Sequence, residues 1–112
     1  MPTSIRPNPV MKAVTVSDGG AHQLTALLKA AYPTVHIPDK CSQLRIRLDI
    51  DAPTDLFIGN DDVSSTNWAE HLTQGGYFDS FARDANDFPL QDIYVLPGSA
   101  AATIIGATIL EQ

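Results

Sequence analysis

The stretch from residue 44 to residue 51 alternates apolar with charged side chains, and it reads Leu44-Arg45-Ile46-Arg47-Leu48-Asp49-Ile50-Asp51. A period of two is the pattern of a β-strand with one buried face and one solvated face. Strands with one solvent-exposed face are typical of antiparallel sheets, because helices cover both faces of a parallel sheet. The stretch therefore predicts an antiparallel sheet, with the four apolar residues up to Ile50 in the core.

Short apolar segments separated by turn residues recur along the chain about every ten residues. Further strands are predicted at residues 10–16, 56–58, 77–82, 90–96 and 103–110. Pro97 and Gly98 fit a type II turn, and Gly106 indicates a bulge or a close approach inside the last strand. The spacing predicts a mainly β fold of six or seven short strands, either an antiparallel β-sandwich or a small barrel.

One short helix is predicted from the spacing of four apolar residues, which are Leu24, Leu27, Leu28 and Ala31. Asp18 could cap this helix and Pro33 would end it after Tyr32, whereas a single strand through residues 24–28 is the alternative. Three prolines within residues 1–9 predict an extended N-terminal arm, which is either a frayed end or a strap across a neighbouring subunit. Residues 10–112 then form a single sandwich domain.

The acidic composition restricts the class of partner. Seven Lys and Arg residues against thirteen Asp and Glu residues give a net charge of -6, which argues against nucleic-acid binding. The single cysteine excludes an intrachain disulfide and a zinc site built on paired thiolates. No apolar run approaches the ~20 residues that span a membrane, and the N-terminus lacks the apolar segment of a secretory signal. We therefore expect a protein made and kept in a reducing cytoplasm.

Residues with chemical potential are present, but their spacing matches no common catalytic or metal-binding motif. Ser64-Ser65-Thr66 could supply a nucleophile with His71 as its base, although the glycines of a nucleophile elbow are missing. Cys41 follows Lys40 and would be reactive if exposed. The other candidate ligands are His22, His36 and the acidic residues Asp49, Asp51, Asp55, Asp61 and Asp62, which lack zinc or EF-hand spacing. We expect neither an enzyme nor a cofactor.

Aromatic residues gather between residues 68 and 88, and they are Trp68, Tyr77, Phe78, Phe81 and Phe88. Strand alternation puts Tyr77 and Phe81 on one face and Phe78 on the other. Both faces of this strand therefore carry aromatic side chains that need to be covered by other residues. Either this strand is central in the sandwich, or one of its faces meets a partner, where aromatic anchors are favoured.

Residues 43–110 resemble small virion proteins of tailed bacteriophages. The resemblance starts with Leu56-Phe57-Ile58-Gly59-Asn60-Asp61-Asp62-Val63-Ser64-Ser65-Thr66-Asn67-Trp68, a strand that leads through a polar turn. It continues with Leu72-Thr73-Gln74-Gly75-Gly76, with Leu90-Gln91-Asp92-Ile93-Tyr94-Val95-Leu96-Pro97-Gly98-Ser99 and with the apolar strand at 103–110. The order of these pieces is similar to that of capsid decoration, or cement, proteins, such as the staple protein of epsilon15-like phages.

The resemblance implies a jelly-roll-like sandwich on the capsid exterior that binds the major capsid protein as a homo-dimer or homo-trimer. It carries over no catalytic residue. Contacts with the shell are expected from the arm, from the charged face of the 44–51 strand and from one loop. The residues are Ile5, Arg6, Val10, Arg45, Arg47, Ser64, Ser65, Thr66, Asn67 and Trp68.

Two other functions remain open. A receptor- or glycan-binding module of a phage tail or head fibre would need an exposed aromatic platform, such as Trp68 with Tyr77, flanked by Asn67 and Asp79. A small enzyme of the cupin type would share the jelly-roll shape but would need a metal, for which the three scattered histidines are poor ligands.

Overall fold

The computed structural model describes residues 9–82 and 86–111, and within them eight strands form two antiparallel sheets. The strands are β1 Val10–Val16, β2 His22–Gln23, β3 Gln43–Leu48, β4 Leu56–Gly59, β5 Glu70–Leu72, β6 Tyr77–Phe81, β7 Tyr94–Pro97 and β8 Thr103–Leu110. Helix α1 covers Leu24–Ala31, and a single 3-10 turn covers Leu90–Asp92.

The strand order within the sheets is that of a jelly roll. The first sheet has the order β1-β8-β3-β6 and the second has the order β2-β7-β4-β5, so most connections cross from one sheet to the other. All paired strands run antiparallel. The predicted fold, an antiparallel jelly-roll-like β-sandwich with one short helix, is confirmed.

The core lies between the two sheets and is built by the period of two. In β3 the side chains of Leu44, Ile46 and Leu48 are fully buried, and β4 contributes Leu56 and Ile58 from the opposite sheet. Burying a side chain of this size stabilises the fold by about 1.5–3 kcal/mol. The strand that decided the fold in the sequence is therefore also the strand that anchors the core.

Helix α1 closes one part of this core with the fully buried Leu24 and Leu28. The helix ends just before Pro33, as predicted. The Tyr32 N–H donates to the Leu28 carbonyl, and the proline that follows cannot continue the helix. The alternative of a single strand through residues 24–28 is wrong, and so is the prediction that Asp18 caps the helix. Gln23 occupies the N-cap position, since β2 separates Asp18 from the helix. Asp18 accepts instead from the Gly20 N–H.

Ile50 is the clearest error of the sequence pattern, because it is 72% exposed and not in the core. Strand β3 ends at Leu48, and the Ala52 N–H donates to the Asp49 carbonyl in a turn that reverses the chain. The Ile50 side chain lies beside Gly75, which has a φ of 79°. The alternation therefore continues in the sequence for three residues, up to Asp51, after the strand has ended at Leu48.

The short strands β2 and β5 were not predicted, and the type II turn at Gly98 and the bulge at Gly106 are wrong. Gly75 is the only described glycine with a positive φ, so Gly98 does not form the type II turn. A β-carbon at Gly98 would lie 2.5 Å from Thr54 Oγ1, so a side chain there would make the Thr54 hydroxyl move, while the nearest backbone atom is 3.5 Å away. At Gly106 the pairing with β1 and β3 runs through without a bulge, and the nearest neighbour of a β-carbon there would be 3.9 Å away.

The predicted arm, residues 1–9, lies outside the described residues except for Pro9, which is exposed. Among the helices of residues 9–82 and 86–111, none has the length and apolar character to cross a membrane.

Candidate functional site

The outward side of the first sheet follows from the alternation that builds the core. Because Leu44 and Ile46 point inward, Arg45 and Arg47 point outward, and the strand register aligns their neighbours in rows across the sheet. One row is Met11-Thr108-Arg45-Asp79 and the next is Ala13-Gly106-Arg47-Tyr77. We call this surface the first outer face; it consists of these eight residues together with Phe81 and Ile104.

Apolar side chains are concentrated on this face. Of the six large hydrophobic residues that are exposed among those described, five lie on the first outer face or at its rim. Met11 and Phe81 are each 67% exposed, and Tyr77, Ile104 and the rim residue Ile50 complete the set. Because five of the six exposed large hydrophobic residues gather on one side of the sandwich, this face is the candidate interaction surface.

Arg45 and Asp79 form the fixed polar element of the face. Arg45 Nε donates to Asp79 Oδ1 at 2.6 Å and Nη2 donates to Oδ2 at 2.8 Å, which is the bidentate geometry of a strong pair. The guanidinium also lies 4.7 Å from the ring centre of Tyr77. The hydrogen bond from Arg45 lowers the pKa of the Asp79 carboxyl, and the same bond raises the pKa of Arg45.

Arg47 differs from Arg45, since it makes no ion pair with any described residue. It borders a shallow depression of about 410 Å³ whose other lining residues include Gly106 and Met11. The fold does not require glycine at 106, and glycine within a strand lowers stability. The absence of a side chain keeps the depression open, which is a feature of strands that another molecule approaches closely.

The predicted contact loop, residues 64–68, is held by its own hydrogen bonds. The Ser64 N–H donates to the Asn67 carbonyl at 2.8 Å, and the Thr66 N–H donates to Ser64 Oγ at 3.2 Å. The Asn67 side-chain amide donates to the Asp62 carbonyl, while Ser65 is exposed and its side chain bonds to no described residue. The loop leads into β5 and so belongs to the second sheet.

Trp68 extends this loop into an aromatic cluster on the outward side of the second sheet. The rings of Phe57 and His71 stack with centres 4.5 Å apart, and the Trp68 ring lies 5.5 Å from His71 and 6.3 Å from Phe57. Phe57 points away from the core because its neighbours Leu56 and Ile58 are buried. Tyr77 lies on the first outer face, so the predicted platform of Trp68 with Tyr77 is wrong.

The candidate catalytic residues do not assemble. His71 Nε2 lies 2.8 Å from Asp55 Oδ2, while the Ser64 hydroxyl bonds to the Thr66 hydroxyl. His22 pairs with Asp18 and His36 with Glu111, and the described residues contain no group of three metal-ligating side chains. Burial raises the pKa of the Cys41 thiol to about 11, so its exposure and reactivity beside Lys40 are not realised.

The predicted contact residues therefore fall into separate places. Arg45 and Arg47 lie together on the first outer face, and residues 64–68 lie on the opposite side of the sandwich. Val10 is buried in β1, which removes it from any surface, and Ile5 and Arg6 lie outside the described residues.

Sequence reasoning missed Met11 and Ile104 as surface residues. The signal was present in the alternation of their strands. Val10 and Val14 fix Met11 as outward, and in a strand with one solvated face Ile104 and Ile105 cannot both point into the core.

No protein-family model, curated protein or solved structure matches this chain.

Proposed function

We propose that this chain is a bacteriophage capsid decoration protein that binds the outer surface of the major capsid protein shell and stabilises it. The observation that carries the proposal is the first outer face, where five exposed hydrophobic residues lie on or beside one sheet. The order of motifs over residues 43–110 supports the same assignment, and a jelly-roll-like sandwich is the fold which that resemblance implies.

The physical basis is the burial of apolar surface that the monomer leaves in water. Covering these side chains with shell protein is favourable by about 25 cal/mol per Å² of apolar area. Such contacts exist only in the assembled particle, so binding stabilises the shell by mass action. Many equivalent copies on one shell make a modest affinity for each copy sufficient.

The polar residues of the face give it a preferred orientation. Arg45 is neutralised by Asp79, whereas Arg47 is free to meet a carboxylate of the shell across the open depression at Gly106. The chain as a whole has a net charge of -6, which favours the solubility of unbound copies. We therefore assign shell contact to the first outer face.

The test is co-sedimentation of labelled protein with DNA-free, expanded heads of the phage that encodes it. Saturation at a fixed number of copies for each shell is expected, with no retention on DNA. Association with tails and none with heads would contradict the proposal.

Three variants localise the contact. Ile104→Lys puts a charge into the apolar face and should weaken head binding by about tenfold or more, the loss expected for a contact residue. Gly106→Val fills the depression in a position where the strand has room, so binding should fall while the free energy of unfolding is kept or increased. Thr66→Lys makes the same charge change on the opposite side of the sandwich and should bind like wild type.

The cluster of Trp68, Phe57 and His71 favours a second candidate, a receptor- or glycan-binding module of a tail or head fibre. Trp68 is 46% exposed and lies beside the His71–Asp55 pair, so an apolar ring and polar groups are available together. Glycan-array binding that disappears in Trp68→Ala and persists in Ile104→Lys would support this candidate over shell binding.

A further inference from the structure

The first sheet ends at two edge strands, β1 and β6, and they differ in their cover. At β1 the Tyr32 hydroxyl donates to the Ala13 carbonyl, and the Lys12 ammonium lies 5.2 Å from the centre of the Tyr32 ring. Folded proteins cover or charge their edge strands because unpaired backbone groups recruit further strands. Among the described residues, β1 has such a cover and β6 does not.

The free side of β6 can be read from its hydrogen bonds to β3. The Leu48 N–H donates to the Gly76 carbonyl, and the Ala82 N–H donates to the Ser42 carbonyl. Because the bonding direction alternates along an antiparallel strand, even-numbered residues 76–82 turn their backbone groups towards β3. Tyr77, Asp79 and Phe81 turn theirs away from the sheet, and no described residue bonds to them there.

These three residues are self-complementary. In either chain direction they read aromatic, acidic, aromatic, so a two-fold axis through Asp79 sets Tyr77 of one copy opposite Phe81 of the other. Both rings are more than half exposed, and facing aromatic side chains stabilise antiparallel pairs. Two Asp79 carboxylates would meet on the axis, but each is already neutralised by the bidentate bonds from Arg45.

We propose that two copies of this chain pair through β6, antiparallel, about a two-fold axis at Asp79. Each facing pair exchanges two backbone hydrogen bonds, and the two first sheets become one sheet of eight strands. The dimer requires no shell and therefore does not rest on the proposed function. It would place two first outer faces side by side, so that after one face has bound a surface the second binds at a high effective concentration.

The expected affinity follows from the size of the contact. Strand β6 has five residues, so the interface is smaller than the ~1,600 Å² of a standard one, and the dimer should have a Kd in the range of ~1–100 μM. Sedimentation equilibrium of the full chain, without phage heads and across that concentration range, measures it. A wild-type chain that stays monomeric throughout would overturn the proposal.

A backbone variant tests the edge itself. Phe81→Pro removes an N–H that points away from the sheet and leaves the bonds to β3 in place, since edge strands tolerate proline at such positions. The Kd should rise by about tenfold or more, with an unchanged circular dichroism spectrum. Ile104→Lys, on the same face but on the interior strand β8, should dimerise like wild type. Equal dimerisation of Phe81→Pro and wild type would refute pairing through β6.

Cross-linking tests the register. On the proposed axis only residue 79 faces its own copy, with β-carbons about 5.5 Å apart, which is too far for an unstrained disulfide but within the reach of a short bis-maleimide. Asp79→Cys should therefore form a covalent dimer with that reagent, whereas Asp61→Cys, in an exposed turn, should not; the native Cys41 is buried and does not compete. Equal cross-linking of both variants, or none of Asp79→Cys, would place any contact elsewhere.

Discussion

The two outer faces of the sandwich use their aromatic side chains in different ways. On the second sheet the rings of Phe57, His71 and Trp68 contact one another, with Phe57 half-buried between its neighbours and Trp68 still 46% exposed. On the first sheet Tyr77 and Phe81 extend into solvent, and among the described residues the Arg45 guanidinium over Tyr77 is the one aromatic or cation–π contact of either ring.

The difference separates stability from binding. Side chains that pack within the chain contribute to the free energy of unfolding, while exposed ones contribute little until something covers them. We therefore expect the ring cluster of Phe57, His71 and Trp68 on the outward side of the second sheet to support the fold, and the first outer face to serve as the contact surface. Three sets of variants test this division, in order of decreasing effect.

The largest effect should distinguish the two sides of β3. Ile46 is fully buried and Arg47 is its outward neighbour, so Ile46→Ala should lower the free energy of unfolding by about 2–5 kcal/mol. Arg47→Ala should change it by no more than about 0.5 kcal/mol. Urea denaturation followed by Trp68 fluorescence measures both. A large loss in Arg47→Ala would mean that the first outer face does support the fold.

A smaller effect should separate the two outer faces. Phe57→Ala removes a half-buried ring stacked on His71 and should cost about 2 kcal/mol. Phe81→Ala makes the identical change at a 67% exposed position of the first outer face and should cost about 0.5 kcal/mol or less. Similar urea midpoints for the two variants would remove the distinction between the faces.

The smallest effect concerns the ion pair of the first outer face and depends on pH. The hydrogen bond from Arg45 lowers the pKa of Asp79 in the folded chain below its ordinary value. The contribution of the Asp79 carboxylate to the free energy of unfolding is therefore present above the ordinary aspartate pKa. It is lost as the pH falls through the pKa that Asp79 has in the folded chain.

Asp79→Asn should accordingly be slightly less stable than wild type at neutral pH, and the difference should vanish in acid. Urea midpoints of both proteins, measured from neutral pH down to about pH 2, test this. A difference that grows on acidification would show that Asp79 is not stabilised as its carboxylate.

The oligomeric state and the functional assignment stay predictions, because they depend on molecules outside this chain. The residues expected to contact the shell illustrate the point. Arg45, Arg47 and residues 64–68 all looked like surface in the sequence, but nothing in their spacing indicated that they lie on opposite sides of the sandwich.

Local sequence determined the elements whose signal is carried by neighbouring residues. The alternation at Leu44, Ile46 and Leu48 specified a half-buried antiparallel strand, because side chains of a strand alternate between core and solvent. Apolar spacing and Pro33 specified helix α1 and its end, and the strand at Thr103–Leu110 was predicted with its observed bounds.

Tertiary structure decided what depends on distant pairing. Ile50 lies outside the core because the chain turns after Leu48, whose backbone bonds to Gly75 and Gly76. The fold also brings the Thr54 hydroxyl beside Gly98, where a side chain would displace it. The order β1-β8-β3-β6 also made β6 an edge and aligned Met11, Arg45 and Asp79 in one row. Hydrogen bonds between strands far apart in sequence fix that order, so the composition of any single strand could not reveal it.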